Sequence, residues 1–264
     1  MAKFTAISRD EVATSTAYAA PDRRATGVKS SVRISPDDYS IWMVESQLED
    51  GAELRWSAPH SDDGVYVIEG ELDVDHDGKV RRCPTEGAII VESDVECTAG
   101  AIGPTRVLHV GSYDPTPPTD GMWGAPARDG RTVHVVGDQG WYQSGSGIHY
   151  LARWFADSTQ STSRIALFHV ALHEPHRRDT PHSHSQDELI YIMDGSLVMG
   201  RSEYMPGTCL ALPANVRYSV TTGANGIKFI NFRRDASMQE YGKVKEPELE
   251  SALARGGRLV GDLR

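Results

Sequence analysis

The sequence predicts an all-β protein built from a repeated unit, on three observations. Short apolar runs bounded by Gly, Pro, Asp or Ser recur along the chain, at residues 66–68, 107–110, 165–172, 189–193 and 228–232, the spacing of a barrel or sandwich. A stretch from Trp42 through Gly51 to Leu72 parallels one from Phe168 through Leu189 to Leu197, at an offset of about 125 residues. Helix signals are sparse.

Taken in order, residues 8–19 carry the first helical pattern, and the first copy of the β-unit follows. Its run Gly87-Ala88-Ile89-Ile90-Val91 matches Gly207-Thr208-Cys209-Leu210-Ala211 of the second copy. Between the copies, Asp114-Pro115-Thr116-Pro117-Pro118-Thr119-Asp120-Gly121, continuing to Asp129-Gly130, sustains neither strand nor helix. It reads as a linker and divides the chain into 1–120 and 121–264. A short C-terminal helix is expected over 246–254, with Pro247 in its first turn and Gly256-Gly257 as its stop.

Composition sets the outer bounds. Of 264 residues, 24% are charged and 39% hydrophobic, which suits a folded, loop-rich protein. A net charge of −10 repels phosphate backbones, so nucleic acid is not an expected partner. The longest aliphatic run, 88–91, is far short of a bilayer span, and the first ten residues lack an export core. The expectation is therefore a cytoplasmic protein with no membrane partner. Cys83, Cys97 and Cys209 are odd in number and widely spaced, against a disulfide framework or thiolate zinc site.

The informative segment is Pro181-His182-Ser183-His184-Ser185-Gln186-Asp187-Glu188. In a strand, positions i and i+2 share a face, so His182 and His184 project together, and a turn at 185–187 can bring Glu188 beside them. Two imidazoles and one carboxylate with open positions suit a non-haem Fe(II) centre, and Mn, Ni or Zn accept the same donors.

His182-x-His184-x-x-x-Glu188, then six residues and Gly195, resembles the first conserved motif of the cupins. Pro206-Gly207 leading to Leu212-Pro213-Ala214-Asn215-Val216 resembles the second. The resemblance implies a bicupin: two double-stranded β-helix (jelly-roll) barrels in tandem, with one divalent metal at the mouth of the active barrel. It also implies a homodimer whose terminal strands exchange. Two departures stand out. Tyr218 occupies the position where cupins carry a fourth, histidine ligand, and His176 replaces the Gly expected before the first motif. Tyr218 is open to three readings: a phenolate ligand, a hydroxyl that positions substrate or metal-bound water, or a barrel-wall residue.

In the first copy only His60 remains of the ligands, with Asp63 in register with Glu188, so that half is read as a metal-free copy. His169 and His173 share the polar face of residues 165–172, and the solvated outer side is their expected place. His109 and the remaining histidines receive no role. The leading functional expectation is an Fe(II)-dependent oxygenase or dioxygenase acting on a small, anionic molecule. Arg217 would pair with the anion and Tyr218 would donate to developing oxyanion charge. A non-redox Mn, Ni or Zn enzyme, similar to ureidoglycine-aminohydrolase-like bicupins, and a non-catalytic small-molecule binder are the alternatives.

Overall fold

The computed structural model describes residues 3–113, 131–137, 141–143, 151–156, 163–235, 237–242, 244–247 and 258–259. The linker expected at 114–130 lies outside them, as does all of the expected C-terminal helix but its first two residues. Those two belong to the strand Val244–Pro247. The described residues are all-β, and every predicted apolar run lies in a strand except for Ile165, which stands just before Ala166–Leu172. The expected N-terminal helix is not formed: residues 9–11 make one 3-10 turn capped by Ser8 and Glu11, preceded by the strand Thr5–Ser8. Further along, Ser15 bridges Ser31, and Tyr18 and Ala19 pack against Trp42 and Val44.

Two large antiparallel sheets carry the fold. The first runs Val133–Val136, Ala88–Val91, Asp63–His76, Cys97–Ser112, Ile41–Leu48, Val28–Arg33 in spatial order. The second runs Thr5–Ser8, Thr208–Leu212, Glu188–Met199, Thr221–Arg233, Ala166–Leu172, Leu151–Ala156, Tyr142–Gln143, Arg258–Leu259. Each sheet takes an outer strand from the other half of the sequence. Thr5 pairs with Ala211, and Val133 pairs with Val91.

Side-chain alternation sends neighbouring apolar residues into separate cores. Tyr66, Leu167, Leu189 and Tyr191 meet in a core shared by the two sheets. Their neighbours one position away point to the opposite faces. Val65 and Val67 fill the interior of the first sheet, while Ile190 and Ile192 fill that of the second. Glu188 has the parity of Ile190 and is therefore carried to the interior of the second sheet.

A buried carboxylate binds the halves together. Glu45 accepts from Arg9 Nη1 at 3.0 Å, Arg106 Nε at 2.6 Å and the Tyr191 hydroxyl at 2.5 Å. Burial pushes the thiols of Cys83 and Cys97 up to about 12 and also raises that of Cys209, so these free cysteines stay unreactive thiols.

The repeat is visible in the pairing. Asp63 lies opposite Val91 and Gly111, and Glu188 lies opposite Leu212 and Arg233. Gly70 and Gly195 both take positive φ at strand irregularities. At Gly195 a Cβ would stand 2.2 Å from the Gly226 carbonyl oxygen, backbone that has no rotamer to yield. Gly195→Ala is expected to cost at least about 2 kcal/mol from left-handed strain and this clash together. A urea midpoint unchanged from wild type would show that the strand bends by another route.

Candidate functional site

Three segments converge at the site. His184 lies in the short strand Ser183–His184, held against Met238–Tyr241 by pairing with Gln239. His182 precedes it and is bridged to Tyr218 by two backbone hydrogen bonds of 2.9 Å. Glu188 opens its strand opposite Arg233. All three predicted ligands are buried. The His182 and His184 ring centres stand 4.8 Å apart, and those of His182 and Tyr218 4.7 Å.

The carboxylate of Glu188 is fixed on both oxygens. Oε1 accepts from Arg233 Nη2 at 2.6 Å and from Asn231 Nδ2. Oε2 accepts the Tyr218 hydroxyl and lies 3.7 Å from His184 Nε2. The Tyr218 oxygen is also 2.8 Å from His184 Nε2. Burial alone would raise the carboxyl of Glu188, but Arg233, His184 and the Tyr218 hydrogen bond outweigh it and hold it well below the usual range. His182 directs Nδ1 to the Thr180 carbonyl at 2.7 Å, 3.3 Å from Asp179. This hydrogen bond holds the ring from its outer side, as such bonds do for imidazoles that ligate metals. Ile190, Ile192, Leu212 and Phe229 wall the interior.

Arg217 is not part of this cluster. Its side chain is exposed and donates to the Pro181 carbonyl at 3.3 Å, bracing the histidine segment from outside. The sequence reading missed Arg233 and Asn231, which lie far from the motif in sequence. Their signal was the alternation of Thr221–Arg233, which puts residues 231 and 233 on one face. His169 is not solvated either: it is buried between the sheets, with Nδ1 3.2 Å from the Tyr66 hydroxyl and its ring against Trp141. The outer face of that strand is covered by the first sheet.

The first half assembles a different cluster at the matching place. Asp63 pairs with Arg23 at 2.6 Å, lies 3.2 Å from His109 Nε2 and accepts from Trp56 Nε1 at 2.8 Å. Tyr18 meets His109 Nδ1 at 2.5 Å. Strand pairing puts His109 where the second half has Asn231, and Gly111 where it has Arg233. The missing cation is supplied by Arg23 from a segment upstream of the sheet, so it could not be found by aligning the copies. Each half thus sets an arginine on its strand-opening carboxylate.

Among the described residues no three His, Cys, Asp or Glu side chains are grouped ready to hold a metal ion; the phenol of Tyr218 stands between Glu188 and His184. The donor chemistry nevertheless fits a divalent metal. His184 Nε2 lies 2.8 Å from the Tyr218 oxygen and 3.7 Å from Glu188 Oε2, and the Tyr218 hydroxyl donates to that same carboxylate oxygen. The outer atoms of His182 and Glu188 are taken by the partners that metal ligands characteristically keep.

No protein-family model matches the chain, and no curated protein matches it. Solved structures do. The protein YlbA from E. coli superposes with a TM-score of 0.62 at 12% identity, over 87% of this chain and 90% of that one. The 11S allergen of Cocos nucifera gives 0.65 at 11%, over 91% and 92%. The chain has a cupin fold. A Bacillus subtilis oxalate decarboxylase with Mn(II) centres gives 0.59 at 14%, over 95% of this chain and 82% of that one. At these identities the shared property is the fold. Among the described residues no helix is long and apolar enough to cross a membrane.

Proposed function

We propose that the chain is a pair of tandem jelly-roll units, 1–120 and 121–264, the second of which is a metal-dependent enzyme for a small molecule. His182, His184 and Glu188 would hold one divalent ion. The observation that carries this reading is the division of labour on Glu188. Arg233 and Asn231 clamp Oε1, so that Oε2 faces His184 and Tyr218 inside an apolar wall.

The residues then have distinct tasks. Arg233 keeps Glu188 ionised and oriented. Thr180 fixes the tautomer of His182. The Tyr218 hydroxyl, shared between Glu188 and His184, supports the hydrogen-bonding reading of that residue: it can hold a proton next to a bound substrate oxygen. The apolar side chains limit access of water, which strengthens each of these contacts. A bound ion would supply Lewis-acid polarisation or, as Fe(II), electron transfer to dioxygen.

Two chemistries share this site: an Fe(II) oxygenase and a non-redox Mn, Ni or Zn enzyme. The Mn(II) centres named for the oxalate decarboxylase support the second. Turnover that is equal with and without dioxygen would select it, whereas strict dioxygen dependence would select the first. Elemental analysis of purified protein is expected to find close to one equivalent of a transition metal per chain. That metal should fall at least about tenfold in His184→Ala and stay in place in Tyr218→Phe. Metal retained in both His182→Ala and His184→Ala, with folded protein by circular dichroism, would overturn the assignment.

A further inference from the structure

The first half holds a cavity of about 210 Å³ beside its Asp63–Arg23 pair, lined by Asp22, Arg23, Ser61, Ser93 and Tyr113 among others. Arg23 belongs to this cavity while its side chain is only 4% exposed. Three of its five N–H groups are spent, on Asp63 Oδ2 at 2.6 Å, the Ser61 carbonyl at 3.2 Å and the Asp22 carbonyl at 3.4 Å. Two N–H groups therefore remain for an outside acceptor.

The serines present the opposite character. Ser61 Oγ has donated its proton to the Ser112 carbonyl at 2.5 Å, and Ser93 Oγ has donated to Asp62 at 3.0 Å. Each hydroxyl oxygen keeps lone pairs that can accept. The charge of Arg23 is already matched by Asp63 and that of Asp94 by Arg131 at 3.0 Å, and the lining adds the carboxylate of Asp22. An anion would meet the carboxylate of Asp22, and a cation would meet Arg23. A neutral molecule with one acceptor oxygen and several hydroxyl donors satisfies both sets. The rings of Pro21, Pro59 and Tyr113 add flat apolar surface against which its C–H face can pack.

We propose that this cavity binds a neutral, hydroxyl-rich small molecule of monosaccharide size, with its carbonyl or ring oxygen on Arg23. The volume is below that of drug-sized sites, which limits the ligand to about that size. The site is separate from the His182/His184/Glu188 cluster and stands or falls independently of it.

The test is ligand-observed saturation-transfer NMR on the full chain with D-ribose, D-galactose and myo-inositol, with glycolate and choline as charged counter-probes. The expected result is signal from at least one of the three neutral probes. It should weaken about tenfold or more in Arg23→Gln, weaken in Tyr113→Ala, and be unchanged in Glu188→Gln. Tyr113 is largely exposed, so that variant keeps the test valid if Arg23→Gln fails to fold. Silence from all three neutral probes, stronger signal from glycolate or choline, or signal that survives Tyr113→Ala and folded Arg23→Gln would overturn the proposal.

Discussion

Arg233→Met is expected to destabilise the protein by about 3–5 kcal/mol, measured as the shift in urea midpoint of chelator-treated protein at neutral pH. Arg233 and Glu188 are each 2% exposed, so removing the guanidinium strands an ionised carboxylate in an apolar interior. Burial would then act on Glu188 with its chief opposing charge gone, and its carboxyl would move from well below the usual range upward. The diagnostic is the double variant. Arg233→Met with Glu188→Gln removes both charges and should recover a large part of the loss, because the cost lies in the unpaired ion. A loss under about 1 kcal/mol in the single variant would mean that water reaches Glu188 and the site is open. Arg23→Met should act on Asp63 in the same direction but more weakly, since His109 and Trp56 also hold that carboxylate.

Stability is expected to fall steeply as pH drops from 7 to 4. His169 is shifted down to about 3 by burial first, then by Arg153 and Lys228, against roughly 6.5 in the unfolded chain. Between those values the unfolded state binds more protons than the folded one, so stability declines with falling pH throughout that window. At pH 5 this one residue accounts for about 2 kcal/mol. His109, also held low chiefly by burial, acts in the same direction. Below about pH 4 the carboxylates join. Burial would raise Asp63 and Glu188, but their cationic partners hold both low, so their stabilisation is complete above the unfolded carboxylate range and is lost as pH falls toward the folded values. His169→Gln should reduce the slope between pH 6.5 and 4.5 and leave the carboxylate loss below it. Urea midpoints at pH 7, 5 and 4 in both proteins measure this. Equal slopes between pH 7 and 5 would show that His169 is hydrated.

The motif histidines and Glu188 were legible because their chemistry is written in short spacing: residues two apart share a face, and a strand-opening carboxylate follows after a turn. The Gly70 and Gly195 positions were legible for a similar local reason, since only a residue without a Cβ tolerates the backbone there. Arg233 and Asn231 were hidden because their place beside Glu188 is set by strand pairing across more than forty residues, and a single sequence does not record which strands pair. Arg217 lies outside the cluster because adjacency to Tyr218 in sequence says nothing about the side a loop residue faces.

By itself the sequence determined the all-β character and set His182, His184 and Glu188 in one short motif, properties carried by local periodicity and side-chain chemistry. Tertiary structure decided which strands each half lends to the other, why the polar face of His169 is dry, and which arginine neutralises which carboxylate. These are long-range facts: burial and charge pairing depend on what another strand brings to within a few ångströms, and that information resides in the packing of the sheets.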